Sequence, residues 1–471
     1  MSADWPEISL TDIYDISSGL SKSADSFGSG YPFLSFKDVF GNFFLPNRLS
    51  QLVESNEKER LKGSILRGDV FLTRTSETMH ELGMSSVALK NYKNATFNGF
   101  TKRLRPKEST PCKVHPEYIG YYLRSRIFRT NMLAFSTMST RASLNNEMIG
   151  RLTIKLPPLK IQQYISKILK TLDDKIELNR QTNQTLEHLA QAIFKSWFVD
   201  FEPTRAKIAA KANGEDPERA AMAAIAGKTL EQFDALFPDD GGHESTHVTV
   251  ADSARDTLAN LKATAALFPE RLVESELGEV PEGWGVKSLV ELAHYQNGLA
   301  LQKFRPENIN NFLPVLKIAQ LKKGYADGSE KASPNIKSEC IVSNGDMVFS
   351  WSGSLLIDVW CGGKAALNQH LFKVTSEHYP KWFYYYWTKQ HLESFQQIAA
   401  DKAVTMGHIK RSHLTEAKCA VPSGNLDQIN VFSNLLDKLI EQRLENNTLE
   451  QLRDTLLPKL LSGEINLCEA P

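Results

Sequence analysis

An uninterrupted heptad pattern from Ile161 to Phe198 constrains this chain more than any other feature. The segment contains no proline or glycine, so it predicts one helix of ~38 residues, roughly 57 Å long. A lone helix of this length has nothing against which to bury its apolar stripe, so it requires a partner helix. The stripe follows alternating steps of four and three residues through Ile165, Leu169, Leu172, Ile176, Asn179, Asn183, Leu186, Ala190, Ile193 and Trp197.

The partner helix lies in the same chain. The pattern returns from Gln428 to Leu461 when the numbering is shifted by 263 positions. Its stripe is Phe432, Leu435, Leu439, Gln442, Asn446, Leu449, Leu456 and Leu460. Polar residues return as well, including Arg180, Asn183 and Glu187, which recur as Arg443, Asn446 and Glu450. Helix packing does not require these polar matches, so they indicate a duplicated unit rather than two unrelated amphipathic helices.

Two globular segments precede the two helices. Residues 1–156 are predicted to be α+β, because short apolar runs alternate with turn residues and a helical stretch near Glu117–Leu123. Residues 283–422 repeat this segment with changed loop lengths. Trp5 and Gly19 return as Trp284 and Gly298 at an offset of 279, and Gly68-Asp69 returns as Gly345-Asp346 at an offset of 277. The predicted order is therefore domain, helix (157–200), linker (201–282), domain, helix (423–465).

The charge is distributed unevenly along the chain, although the formal total is zero. Residues 1–156 carry 21 basic and 15 acidic residues, and residues 283–422 carry 16 and 11. The linker at 201–282 carries 8 basic and 16 acidic residues. Basic domains suit a polyanionic partner, although an excess of this size is modest. The acidic linker is interpreted as a long connector, either solvated or used for partner docking, with short helices predicted at 218–227 and 252–266.

The sequence offers little that predicts catalysis or metal binding. Its five cysteines form no CxxC pair, which argues against structural zinc and fits a reducing compartment. It contains neither the [ND]-P-P-[FYW] loop of DNA amino-methyltransferases nor a complete phosphate-binding GxxxxGK[ST] loop. The N-terminus does not resemble a signal peptide, and no apolar run reaches the ~20 residues of a membrane span. A cytoplasmic protein without membrane attachment is expected.

Three stretches carry a family resemblance. They are Phe194–Pro203 (FKSWFVDFEP), Leu277–Trp284 (LGEVPEGW) and Leu456–Gly463 (LLPKLLSG). With them, nearly the whole chain resembles the specificity subunits of type I restriction–modification systems. The resemblance implies an α+β chain in which two duplicated target-recognition domains alternate with two long helices that pair as an antiparallel coiled coil. Each domain would recognise one half of a bipartite DNA target, and the helices would set the spacing between the halves.

The resemblance also implies partners and the absence of catalysis in this chain. The partners are double-stranded DNA, two modification (methyltransferase) subunits, and restriction subunits that act as motor and nuclease. S-adenosylmethionine, ATP and Mg would bind to those subunits, and this chain would carry no cofactor or metal. Two alternatives remain open, namely an enzyme with its own site and a coiled-coil adaptor that binds proteins only.

The candidate DNA-binding residues are polar or basic side chains in corresponding loops of the two domains. One loop follows the strand after each Gly-Asp pair, a second precedes each final strand, and a set of lysines follows the second apolar strand. A solvated surface role is the alternative for each residue. The candidates are Lys37, Arg74, Thr75, Ser76, Ser139, Thr140, Arg141, Lys317, Lys322, Lys323, Trp351, Ser352, Ser354, Lys402 and Thr405.

Helix pairing is assigned to the stripe residues of both helices, which include one polar residue at matching positions. A buried Asn183 or Asn446 would cost stability but fix the register of the pair. Alternatively, both asparagines face solvent or a methyltransferase subunit. The residues assigned to pairing are Ile165, Leu169, Leu172, Ile176, Asn183, Leu186, Ile193, Phe432, Leu435, Leu439, Asn446, Leu449 and Leu456.

Overall fold

The computed structural model describes residues 5–76, 82–110, 112–134, 142–238, 252–308, 310–401, 407–465 and 467. The chain divides into two compact units. Unit 1 contains residues 1–177 and 448–471, and unit 2 contains residues 178–447. Each unit combines one α+β domain with one part of each long helix.

The first domain consists of short strands and helices, as its alternating apolar runs predicted. The helix predicted near Glu117 begins at Pro116, a residue that suits the first helical turn because its missing N–H needs no partner there. The elements are β1 (Glu7–Ser9), α1 (Leu10–Ile13), β2 (Tyr14–Ser18), β3 (Phe27–Leu34), α2 (Phe36–Gly41), β4 (Gln51–Val53), α3 (Glu57–Lys62), β5 (Val70–Thr73), β6 (Thr75–Ser76), β7 (Ser85–Val87), β8 (Thr96–Phe97), β9 (Thr101–Pro106), α4 (Pro116–Arg124), α5 (Arg126–Ala134), β10 (Ala142–Ser143), α6 (Asn146–Gly150) and β11 (Thr153–Lys155).

Two main sheets form the first domain, in the strand orders β2-β9-β5-β7 and β4-β3-β8. The first strand pairs antiparallel with the last, joining Ile8 to Ile154 and thereby bringing the two ends of the domain together. Strand β5 is buried along its whole length, as its continuous apolar sequence predicts for a central strand. Apolar residues of these strands, of α4 and of the long helices share one hydrophobic core in unit 1.

The predicted long helix and the acidic linker come next. The helix extends from Leu159 to Phe198, two residues earlier than predicted. The described part of the linker forms four helices and a strand pair, and Ala221, Phe233 and Ala265 pack into a small core of its own. The elements are α7 (Leu159–Phe198), α8 (Glu202–Asn213), α9 (Pro217–Ile225), α10 (Leu230–Leu236), α11 (Asp252–Ala265), β12 (Leu272–Ser275) and β13 (Gly278–Pro281).

The second domain repeats the first and leads into the second long helix. The aromatic run Phe383–Trp387 lies on a buried helix. The elements are β14 (Gly285–Ser288), α12 (Leu289–Leu292), β15 (His294–Asn297), β16 (Leu313–Leu316), α13 (Ile318–Lys323), β17 (Lys331–Ala332), β18 (Ile341–Val342), β19 (Met347–Ser350), β20 (Ile357–Val359), β21 (Ala365–Leu367), β22 (Leu371–Thr375), α14 (Lys381–Gln390), α15 (Leu392–Asp401), α16 (Arg411–Glu416), β23 (Lys418–Val421) and α17 (Asn430–Leu461).

The repeated Gly-Asp pair has the same structural role in both domains. Gly68 and Gly345 both have positive φ angles, of 92° and 87°, which glycine adopts without strain. The carboxylate of Asp69 accepts from the backbone N–H of Leu66 at 2.8 Å, and that of Asp346 accepts from Ser343 at 2.7 Å. Each pair therefore forms the turn that leads into a buried central strand, β5 or β19. The sheets β2-β9-β5-β7 and β15-β22-β19-β20 correspond strand for strand.

Candidate nucleic-acid interface

In the first domain, the loop predicted to contact DNA is joined to the segment that precedes the final strand. Strand β6 pairs with β10, placing Thr75 opposite Ser143 and Ser76 opposite Ala142. The carbonyl of Arg74 accepts from the backbone N–H of Leu144 at 2.8 Å. Two segments that the sequence selected separately, 73–76 and the end of 139–143, are thus adjacent in space.

The second domain brings the corresponding segments together in the same way. Ser352 forms an antiparallel bridge with His408. The N–H of Gly353 donates to the carbonyl of Gly407 at 2.8 Å, and the N–H of Ile409 donates to the carbonyl of Trp351 at 3.0 Å. The loop at 350–354 therefore lies against the chain that immediately follows residues 402–406.

A third segment, absent from the sequence-based candidates, completes this arrangement in each domain. In the first domain it is the turn Asn98–Phe100, whose Phe100 carbonyl accepts from the N–H of Arg74 at 2.8 Å. In the second it is the turn Asn368–His370, whose His370 carbonyl accepts from the N–H of Trp351 at 3.4 Å. We call these two turns the reader turns. The only sequence signal for them is one shared asparagine at an offset of 270 positions.

The two reader turns have the same backbone frame. Asn98 Oδ1 accepts from the N–H of Phe100 at 2.6 Å, and Asn368 Oδ1 accepts from that of His370 at 3.2 Å. A Cβ atom added at Gly19 would lie 2.3 Å from the carbonyl oxygen of Asn98, and one added at Gly298 would lie 2.3 Å from that of Asn368. Only glycine permits such a close approach, which explains why this glycine recurs in both domains.

Side chains around the second reader turn form a connected polar group. The Ser352 hydroxyl shares a hydrogen bond of 2.9 Å with Nδ1 of His370. Nε2 of the same ring lies 3.3 Å from Nε2 of Gln369, and the indole N–H of Trp351 donates to the carbonyl of Gln369 at 3.2 Å. Ser352 is buried, whereas Trp351, Gln369 and His370 are partly exposed.

Basic side chains accompany the first interface. Arg74 is exposed at this interface, and Lys37 is exposed elsewhere, in α2. Burial lowers the pKa of Lys102, and the neighbouring charge of Arg74 lowers it further. Two cations held close together repel each other, and an anion such as a phosphate would relieve that repulsion. The arrangement therefore favours a polyanion at this surface.

The lysines selected in the second domain have different surroundings. Lys317 forms an ion pair with Glu330. Lys322 and Lys323 are exposed in the last turn of α13. Lys322 and Ser354 also line one cleft of about 560 Å³ beside the 350–354 loop. Lys322 thus shares a cleft with this loop.

Five of the selected residues lie outside the described part of the chain, and the side chain of Ser76 does too. The five residues are Ser139, Thr140, Arg141, Lys402 and Thr405.

The residues assigned to helix pairing are all buried or partly buried. In unit 2, Asn179 Nδ2 donates to Asn446 Oδ1 at 2.9 Å, and the rings of Phe194 and Phe432 pack with centroids 5.9 Å apart. In unit 1, Arg453 donates to Asp173 at 2.9 Å. Asn183 and Asn446 are each 8% exposed.

Each α+β domain is attached to the long helices by polar contacts. In unit 1 the Tyr121 hydroxyl donates to Asp173 at 2.7 Å. In unit 2 the Arg443 guanidinium contacts Asp358 at 2.7 Å, and Lys389 contacts Glu187 at 2.5 Å. The half-buried ion pairs fix the face of the domain that meets the helices within this unit.

In the described ranges, no three or more His, Cys, Asp or Glu side chains cluster in a way that suits a metal ion. No helix in those ranges is long and apolar enough to span a membrane. The polar group at Ser352, His370 and Gln369 contains neither a carboxylate nor a thiol, so it differs from the usual hydrolytic triads.

Comparison with known sequences shows the family to which this chain belongs. The profile of the family described as "Type I restriction modification DNA specificity domain" matches residues 2–188 and 281–453. The chain is 28% identical to the type I restriction enzyme HindI specificity subunit of Haemophilus influenzae, covering 98% of this chain and 100% of the relative. It is 22% identical to the MjaIX specificity subunit of Methanocaldococcus jannaschii, covering 99% and 94%. The S subunit of M. genitalium has a TM-score of 0.48 and 11% identity, covering 97% of this chain and 96% of that chain.

Proposed function

Because the chain belongs to the family of type I restriction–modification DNA specificity domains, we propose that it is the non-catalytic DNA-specificity subunit of a type I complex. Residues 1–156 and 283–422 would each recognise one half of a bipartite target. The observation that carries this proposal is the repeated frame at the candidate interface. In both domains, three segments joined by backbone hydrogen bonds surround a Gly–Asn contact of the same geometry.

The two long helices are proposed to pair as an antiparallel coiled coil, with helical regions at 157–200 and 423–465. Within unit 2, Asn179, early in the α7 part of that unit, contacts Asn446, late in its α17 part. Phe194, later in α7, contacts the earlier Phe432. Contacts that run in opposite directions along two helices support antiparallel pairing. On this alignment Asn183 lies opposite Gln442, forming a second polar layer next to the first.

Helix pairing would make the distance between the two target halves a property of this chain. Half-sites one helical turn of DNA apart are separated by ~34–36 Å, a distance that helices of this length can span. Buried polar layers would fix the register and hence the gap between the halves. The linker at 201–282 would connect the first helix to the second domain.

The partners are proposed to be double-stranded DNA, two modification subunits and, where present, restriction subunits. The duplication supports two equivalent modification subunits, because a repeated scaffold offers the same surface twice. S-adenosylmethionine would bind to the modification subunits, and ATP with Mg to the restriction subunits. No step of that chemistry is assigned to residues of this chain.

The proposal is tested by mapping methylated adenines genome-wide in cells that co-express this chain with its modification subunit. The matched control is the same strain without this chain. A split motif, with two short defined halves and a fixed undefined gap, is the expected result. A soluble complex that neither modifies DNA nor binds it in a salt-sensitive manner would instead support the protein-binding adaptor.

A further inference from the structure

The two reader turns share their backbone frame but differ in the side chains at their tips. The asparagine and the glycine that contacts it occur in both domains, as Asn98 with Gly19 and Asn368 with Gly298. The next two residues are Gly99 and Phe100 in one turn, and Gln369 and His370 in the other. The residues that fix the backbone of the turn are the same in both domains, as expected if both turns need the same shape. Side chains that distinguish two different DNA sequences must differ between the copies.

The second tip presents a positioned amide. The Gln369 side chain lies against His370, and the His370 ring is fixed on its other side by the Ser352 hydroxyl at 2.9 Å. The indole N–H of Trp351 donates to the backbone carbonyl of Gln369. This chain of contacts restricts the rotamers of a side chain that is still partly exposed. A side chain whose rotamers are already restricted loses less conformational entropy when it binds.

The first tip presents a hydrocarbon surface instead. Phe100 is 63% exposed, which is unusual for a large aromatic side chain. It lies beside exposed Arg74, whose backbone N–H donates to the Phe100 carbonyl at 2.8 Å. An exposed aromatic next to cations is suited to a DNA groove, where apolar side chains contact thymine methyl groups and cations contact phosphates.

We infer that Gln369 and Phe100 are the specificity-determining residues of the two reader turns. Gln369 contacts an adenine edge in one target half, because an amide can donate to N7 and accept from N6 of adenine. Phe100 contacts a thymine methyl in the other half. Ser352 and His370 are positioning residues that act through Gln369. This inference rests on the proposed function and deepens it.

The test compares methylation maps of the assembled complex with its modification subunit, using the wild-type chain, Gln369→Ala, Gln369→Glu and Phe100→Ala. Each variant leaves one target half untouched, so that half is an internal control for folding and assembly. Gln369→Ala is expected to reduce the preference for adenine over the other bases about tenfold at one position of one target half. This is a typical value for the loss of one bidentate contact. Gln369→Glu is expected to shift preference at that position toward cytosine, whose amino group needs an acceptor. Phe100→Ala is expected to relax one position in the other half.

The outcomes separate this inference from the proposed function. If the wild-type complex gives no split motif, the proposed function fails. If the wild type gives a split motif and the Gln369 variants keep it unchanged, only the present inference fails. A uniform loss of modification with no change of preference in Gln369→Ala would also overturn it, because a scaffold or phosphate role would then explain the effect.

Discussion

Asn179 of α7 donates a hydrogen bond of 2.9 Å to Asn446 of α17 within unit 2. Asn179 is 1% exposed and Asn446 is 8% exposed, so this pair is a polar contact inside an otherwise apolar stripe. A buried amide that loses its partner keeps its desolvation cost, which makes the contact selective for one alignment of the helices.

Exchange of Asn446 for Leu is therefore expected to lower the free energy of unfolding by about 1 kcal/mol, because Asn179 loses one of its two acceptors and keeps the other, Glu445, at 2.7 Å. The double variant Asn179→Leu/Asn446→Leu is expected to recover most of that loss. Denaturant unfolding followed by circular dichroism measures both. Gln451→Leu, at an exposed position of the same helix, is the control.

The same double variant is expected to loosen the gap between the target halves. With the polar pair removed, apolar stripes can pair in more than one register. A methylation map should then contain more than one gap length. Retention of a single gap in a folded double variant, and likewise in Asn183→Leu, would reject the register role.

Gly298→Ala is expected to weaken recognition of one target half and to destabilise the second domain by about 2 kcal/mol or more. The added Cβ would lie 2.3 Å from the Asn368 carbonyl oxygen and would displace the reader turn. Gly285→Ala is the matched control, because its Cβ meets no atom within 4 Å. Thermal unfolding and DNA binding of the two variants decide the point. Equal behaviour would contradict the proposed role of the turn.

Removal of a cation at the first interface is expected to weaken DNA binding uniformly across sequences. For Arg74→Gln or Lys102→Gln, the slope of log affinity against log salt should fall by about 0.9 for each lost phosphate contact. Titrations of the assembled complex at several salt concentrations measure this slope. Lys438→Gln, on the exposed face of α17, should leave it unchanged.

The ion pair between Arg443 and Asp358 is expected to contribute to the attachment of the second domain. The two side chains are 31% and 29% exposed, so the pair is partly shielded from water. Arg443→Met should cost about 1–3 kcal/mol, because it also loses its bond to the Val359 carbonyl. A double-mutant cycle with Asp358→Asn isolates the pairwise part, which should be near 1 kcal/mol. Additive single effects would show that the ion pair itself contributes nothing.

His391 is expected to make unit 2 sensitive to mild acid. Burial lowers the pKa of His391, and its Nε2 lies 3.0 Å from the Lys418 carbonyl oxygen. The unfolded chain therefore binds this proton more readily than the folded chain. Stability is complete above the ordinary histidine pKa of about 6.5 and is lost as pH falls toward the lowered folded value.

Unfolding temperatures at pH 8.0 and 5.5 should therefore differ more for the wild type than for His391→Gln. For this single group, the free energy of unfolding can change by at most about 1.4 kcal/mol per pH unit. His378→Gln provides a control at an exposed position. Parallel pH profiles for the wild type and His391→Gln would show that His391 has the same pKa in the folded and unfolded chains.

The long helices could be predicted because heptad spacing is a local property of the sequence. The two domains could be recognised as copies of one fold because residues such as Gly68 and Gly345 have a backbone conformation that favours glycine in both copies. Both features depend on a few neighbouring residues.

The reader turns could not be predicted in this way. Their position depends on hydrogen bonds between distant segments, such as Trp351 with His370, and only one asparagine is shared between them. The linker helices α8 and α10 were also missed. Helix α8 buries Lys207, which pairs at 2.5 Å with the partly exposed Glu218 of α9, so a charged residue occupies a position where the pattern would require an apolar one.

A matched insertion tests the central claim most directly. The division of the chain into two units falls between Glu177 and Leu178 in α7 and between Asn447 and Thr448 in α17. Inserting one apolar-striped heptad at both points adds ~10.5 Å of helix, the length of about three base pairs. Methylation maps of the co-expressed complexes should then show the same two halves separated by a longer gap. An unchanged gap with both halves intact would contradict the claim that the paired helices set the spacing.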